Sequence, residues 1–233
     1  MPCQYKLEIS VETLDAATAA ERGGASRIEF CGDLKLGGTT PERELLRTVR
    51  RRVQVPIFSM VRPRGGGFFY SDAEFAEMER EVEAAKEVGM DGVVFGLLNA
   101  AGEVDIARTA RLVELARPLP VTFHRAFDEC SRDLREALED VIETGATRLL
   151  TSGGKRTAPE ALDLIGELVR IAGERLVVMP GSGLHAGNIR EAVAKTGARE
   201  FHAGLSSVVG DVAGNLGEFE AEVRRLSEAL RVD

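Results

Sequence analysis

His124 and Arg125 end the apolar run Pro120-Val121-Thr122-Phe123 and are followed at once by Ala126-Phe127-Asp128. Period-two alternation puts Val121 and Phe123 on one face of a short strand, with Thr122 and His124 on the other. An imidazole at the carboxyl end of a buried strand suits proton transfer near neutral pH. The same alternation elsewhere turns Glu8 and Ser10 to one face of a strand, Glu29 and Cys31 to one face of the next, and Met60 and Arg62 to one face of a third. Glu8, Glu29, Arg62 and His124 are thus expected to converge on one volume. Buried charges are costly unless paired, so four of them need a reason. One reason is structural, with Glu8 and Glu29 neutralising Arg62. The other is catalytic: His124 as general acid/base, Glu8 or Glu29 as its partner or second base, and Arg62 with Arg64 stabilising negative charge.

Glycine-rich turns supply candidate anion sites, because amides freed of side chains can cradle a phosphate or carboxylate. Gly181-Ser182-Gly183 and Ala203-Gly204 are one pair of such turns, and Ser152-Gly153-Gly154-Lys155 is another. His202, just before Ala203-Gly204, joins the expected anion site. Cys31 is the candidate metal ligand, against the plainer reading of a small buried apolar residue. No Walker loop, dinucleotide fingerprint or zinc-spaced His/Cys cluster occurs.

The elements that must position these residues alternate regularly. A glycine, a short spacer and a strand recur at Gly24, Gly89, Gly145 and Gly197, as expected where glycine closes a helix. Strand-like runs at 5–9, 55–61, 120–124 and 175–179 lie between these copies. Phe75, Met78, Val82, Ala85 and Val88 mark an amphipathic helix, as do Leu134, Ala137, Leu138, Val141 and Ile142, and Leu216, Phe219, Val223, Leu226 and Leu230. Ser71 with Glu74, and Thr157 with Glu160, read as capping boxes, and Thr40-Pro41 as a helix start. Eight strands each followed by a helix, with no linker between them, indicate a single α/β domain over residues 1–233, a (β/α)8 TIM barrel. A doubly wound sheet is the alternative. In a barrel the strand ends named above share one face, where active sites form.

Composition narrows the function classes. The 233 residues carry a net charge of −8, which disfavours nucleic acid and anionic membranes as partners. No apolar run is long enough for a bilayer span, and the first residues lack the pattern of a signal peptide. Three cysteines, Cys3, Cys31 and Cys130, point to a reducing cytoplasm rather than a disulfide framework. Cys3 and Cys130 are read as incidental.

At these residues the chain resembles the CutC family of copper homeostasis proteins. The resemblance rests on Arg62-Pro63-Arg64-Gly65-Gly66, Tyr70-Ser71-Asp72, the segment from Pro120 through His124-Arg125 to Asp128, Leu150-Thr151-Ser152-Gly153, and Val178-Met179-Pro180-Gly181-Ser182-Gly183. Glu8, Glu29-Phe30-Cys31 and Gly37-Gly38-Thr39-Thr40-Pro41 fit as well. The resemblance implies a TIM barrel, a cytoplasmic protein and a role in copper tolerance, with Cu(I) as the ion bound through cysteines. It brings no enzymatic reaction. Relatives often carry cysteine where Ser10 stands, and Cys or Ser where Ala203 stands. Cys31, helped at most by Met60, is therefore a poor site for a soft ion.

Two functions follow as expectations. One is a copper-handling protein in which direct copper binding is doubtful. The other is a barrel enzyme acting by acid/base chemistry at His124 on a small anionic metabolite, a phosphorylated one included. The partner is accordingly a small anion or a copper ion, and a homodimer is expected from exposed barrel helices.

Overall fold

The computed structural model describes residues 5–231. Eight strands alternate with helices: β1 (Lys6–Val11), α1 (Leu14–Gly23), β2 (Arg27–Phe30), α2 (Arg43–Arg52), β3 (Ile57–Met60), α3 (Asp72–Val88), β4 (Gly92–Phe95), α4 (Ile106–Ala116), β5 (Val121–Phe123), α5 (Leu134–Glu143), β6 (Arg148–Thr151), α6 (Leu162–Ala172), β7 (Val177–Pro180), α7 (Ile189–Thr196), β8 (Glu200–Ala203), a one-turn α8 (Ser206–Val209) and α9 (Leu216–Leu230). The strands are all parallel, in the order β7-β6-β5-β4-β3-β2-β1-β8. The two ends of that order lie against each other, and α9 packs on α1 to complete the outer ring. The molecule is a (β/α)8 barrel.

Alternation along the strands divides two apolar layers. Leu7, Ile9, Ile28, Phe30, Val93, Phe123, Leu149 and Phe201 belong to the large core between strands and helices. Cys31, Phe58, Met60 and Val94 form a separate small cluster. Much of the remaining barrel interior is polar: Glu8, Arg27, Glu29, Arg62, His124, Glu200 and His202 are all buried. A barrel interior is ordinarily filled by Val, Ile and Leu, so this one departs from the common pattern.

Two helix starts differ from the sequence reading. Ser71 and Glu74 form the expected capping box of α3, but α2 begins at Arg43 without a side-chain cap from Thr40. The Thr40 hydroxyl instead donates to Glu81 Oε2 (2.6 Å) and accepts from the Arg62 amide (2.8 Å), tying α3 to the end of β3. Thr157 and Glu160 flank a single 3-10 turn over 158–161, and Thr157 makes no cap to the backbone; its hydroxyl bonds the Glu160 carboxylate at 2.6 Å.

Candidate active site at the strand ends

The floor of the interior is a closed ion-pair network. Arg27, one residue into β2, donates through Nε to Glu8 and through Nη2 to Glu200 Oε2 (2.7 Å). Arg148 donates to the same Glu200 oxygen at 2.9 Å, and the Phe58 ring lies against both guanidinium groups. Glu8 is fully buried, and its second oxygen meets His202 Nδ1 at 2.8 Å. Burial alone would raise the Glu8 carboxyl, but Arg27 and His202 hold it down at about 2.

Above this floor the pairing runs out. Glu29 Oε2 lies 3.8 Å from His202 Nε2 and accepts a long bond from Cys31 Sγ (3.6 Å), while its Oε1 is buried without a partner. Burial raises the Glu29 carboxyl to about 7, with the His202 charge opposing the rise and Glu8 adding to it. Burial lowers His202, but Glu29 and Glu8 outweigh it, so its net shift is upward. The two groups therefore keep proton exchange close to neutral pH.

Arg62 is buried, yet it has no carboxylate partner among the described residues. Its Nη1 donates to the carbonyls of Leu36 (2.9 Å) and Gly38 (3.0 Å), and its Nη2 to Gly66 (2.7 Å). Its Nε is buried and unpartnered, and Phe68 lies 4.8 Å from the guanidinium carbon. His124 packs edge-on to the same Phe68 ring. The Ala126 amide donates to His124 Nδ1 at 3.2 Å, so the neutral imidazole carries its hydrogen on Nε2. That atom too is buried without a partner. Burial, with Arg62 and Arg125 adding to it, lowers His124 to about 3. At neutral pH this histidine is a hydrogen-bond donor, and its basic form lies outside the working range.

Six buried side-chain polar atoms lack a partner among the described residues. Three of them belong to Glu29, Arg62 and His124, which line one cavity of about 650 Å³ at the strand ends with Ser10, Met60, Phe68 and His202. A larger depression of about 890 Å³ lies on the outer wall between α3 and α4, where charges of both signs line it and no strand-end residue contributes. Chemistry in a barrel belongs to the strand-end cavity.

The structure thus brings Glu29, Arg62, His124 and His202 together, with Glu8 in the layer beneath. Neither carboxylate neutralises Arg62, contrary to the structural expectation; Arg27 and His202 take that part. Arg64 lies apart, with Nε on Glu74 Oε1 (2.5 Å) and its other nitrogens on the carbonyls of Gly65, Gly67 and Phe69. The turn at Ser152 and Gly153 does cradle an oxyanion, but it is the protein's own. Asp128 accepts from the amides of Ser152 (2.9 Å) and Gly154 (3.0 Å), from Thr151 Oγ1 (2.5 Å) and from Arg125 Nε (2.9 Å). The Gly153 amide goes to Thr151 Oγ1 at 2.8 Å. Gly181 donates to the Thr151 carbonyl, Ser182 Oγ to that of Arg156, and the Gly183 carbonyl accepts from Asn188. Gly204 borders a neighbouring cavity of about 460 Å³ that shares Ser10 and Leu34 with the first.

Sequence reasoning missed Arg27 and two glycines. A Cβ on Gly96 would sit 2.5 Å from His124 Nδ1, and one on Gly181 2.3 Å from Leu150 Cδ1 and 3.1 Å from His202 Cβ. Each of the two histidines therefore occupies space that only a glycine leaves. The phase of β2 already puts Arg27 on the face of Glu29, which was the available signal.

The strand-end geometry has relatives. Residues 5–207 match the CutC family. The chain belongs to the CutC family. A family protein CutC of Chromobacterium violaceum is 49% identical over 84% of this chain and 79% of its own length. A human protein named copper homeostasis protein cutC homolog is 45% identical over 87% of this chain and 74% of its own. The crystal structure of a copper homeostasis protein CutC from Streptococcus agalactiae superimposes with a TM-score of 0.81 at 30% identity, over 85% of this chain and 98% of that one.

The copper in those names can be tested against the residues of this CutC chain. Glu8, Glu29 and His202 place ligand-type atoms within 4.8 Å of one another. Both Glu8 oxygens are already bonded, one of them to the Arg27 cation. A hard divalent ion would have to displace that pairing, and Cu(I) prefers soft sulfur. Burial, together with Glu29, keeps the Cys31 thiol well above its ordinary value, so the thiolate is disfavoured. Met60 is its sulfur neighbour in the same small cluster. Cys130 packs against the outer core instead. Cys3 lies outside the described residues. Among the described residues the donor set does not suit Cu(I). No helix is long and apolar enough to cross a membrane.

Proposed function

We propose that this chain serves the copper-homeostasis role of its relatives through a small acidic metabolite bound at the strand ends, with proton transfer there, rather than by thiolate ligation of copper. One observation carries the reading: Arg62 is a buried cation with no carboxylate partner among the described residues, in a cavity beside two other unpartnered polar groups. A buried charge without a counter-ion is strongly unfavourable, and an anionic ligand supplies one. Glu29 and His202 are the groups suited to proton transfer near neutral pH, and His124 is suited to donating a hydrogen bond. The reading places the protein in the reducing cytoplasm, consistent with its few cysteines.

The test is a thermal-shift series with acetate, oxalate, pyruvate, sulfate and phosphate at millimolar concentration. Wild type is expected to gain stability with at least one of the carboxylates, and Arg62→Gln to lose that gain. Stabilisation by none of these anions would overturn the reading. A Cu(I) competition titration should give the same result for wild type and Cys31→Ser; tight binding lost in the variant would restore the copper site.

A further inference from the structure

Resting on that reading, we propose that the substrate is a 2-oxo acid and that the reaction removes a proton from the carbon next to its oxo group, with Glu29 as base and His124 holding the enolate oxygen. The inventory of free groups narrows the substrate. A phosphate presents several strongly charged oxygens and is ordinarily met by a row of amides or several cations. Here the amides of Ser152, Gly153 and Gly154 are committed to Asp128 and Thr151. The cavity offers one unpaired cation with a single free N–H, Arg62 Nε, and one neutral free donor, His124 Nε2. One permanent charge and one adjacent neutral oxygen match the carboxylate and the oxo group of a 2-oxo acid.

The remaining unpartnered atom, Glu29 Oε1, is an acceptor. A base beside a carbonyl oxygen held by a neutral donor is the arrangement for enolisation. The C–H bond next to the oxo group breaks, and its proton goes to the Glu29 carboxylate. The electron pair forms the C=C bond as the C=O π pair moves to oxygen, where it meets His124 Nε2–H. Return of a proton from Glu29 to carbon closes the cycle without oxidant or reductant. His202 lies 3.8 Å from Glu29 and is fixed by Glu8 on its far nitrogen, so Glu29 can exchange its proton with a neighbour between the two half-steps.

The experiment is hydrogen–deuterium exchange of the C3 position, followed by proton NMR in D2O, with pyruvate, 2-oxobutyrate and 2-oxoglutarate as probes. At least one probe should exchange faster with wild type than in protein-free buffer. Glu29→Gln should slow that exchange at least 100-fold while the same probe still raises the melting temperature. His124→Gln, which keeps an N–H donor, should retain more activity than His124→Leu. Stabilisation by a probe without any exchange would overturn the enolisation and leave the anion site intact. Exchange unchanged in Glu29→Gln would also overturn it. Absence of both stabilisation and exchange would remove the anion reading as well.

Discussion

The floor and the mouth of this barrel are built from the same residue types and satisfy them differently. On the floor, Arg27, Glu8, Glu200 and Arg148 close a network in which each charge has an opposite neighbour within hydrogen-bond distance. At the mouth, Arg62, Glu29 and His124 each keep one buried atom without a partner. Burial by itself therefore says little about function in this interior. The unpaired atom is what separates a group that holds the fold from one kept for a ligand.

The sharpest way to break this comparison is to open the floor. Arg27→Met leaves Glu8 and Glu200 without their shared cation, and removing one partner of a buried pair is worth about 3–5 kcal/mol. Denaturant unfolding should show a loss of that size. A loss below about 1 kcal/mol would mean the floor is not the structural half. Glu29→Gln at the mouth should instead stay within about 1 kcal/mol of wild type, since an exposed-or-unpaired polar group contributes little when replaced by a neutral isostere.

The pH dependence sharpens the same contrast. Glu29 is raised from its ordinary 4.5 to about 7, so the folded state holds this proton more tightly than the unfolded chain. Its stabilising contribution is present below about 4.5 and is lost as pH rises to about 7. Glu29→Gln should therefore gain on wild type across that window. The rate of C3 exchange should climb with pH through about 7, as the base form appears. A flat profile would assign the proton to another group.

His124 has the opposite sign. It is lowered from 6.5 to about 3, so the unfolded chain takes up the proton first, and stability falls as pH drops from about 6.5. Glu8, held at about 2, loses its contribution only below about 4.5. Between pH 7 and 5 the difference between wild type and His124→Gln should therefore shift in the variant's favour as pH falls. A constant difference across that range would show that His124 is not held neutral. This is the smallest of the three effects, because a neutral donor replaces a neutral donor.

Much of the site was legible from strand phase alone. Alternation is strict in short strands, so Glu8, Glu29, Arg62, His124 and His202 fall on the inner face without knowledge of the fold beyond eight repeats. Pairing was not legible. Which cation meets Glu8 depends on register across β1, β2 and β8, where Glu8 lies opposite both Arg27 and His202. The direction of His124's shift depends on burial and on the Ala126 amide, neither of which has a sequence signature. The Ser152-Gly153-Gly154 turn reads as an anion cradle in sequence, and its occupant, Asp128, arrives from a different loop 24 residues away.

The most direct test of the contrast between paired floor and unpaired mouth is an anomalous-difference map from crystals soaked in selenate. A selenium peak within hydrogen-bonding reach of Arg62 Nε and His124 Nε2, absent in Arg62→Gln, is the expected result. Soaked crystals with no peak in that cavity would contradict the claim that the mouth lacks a counter-ion.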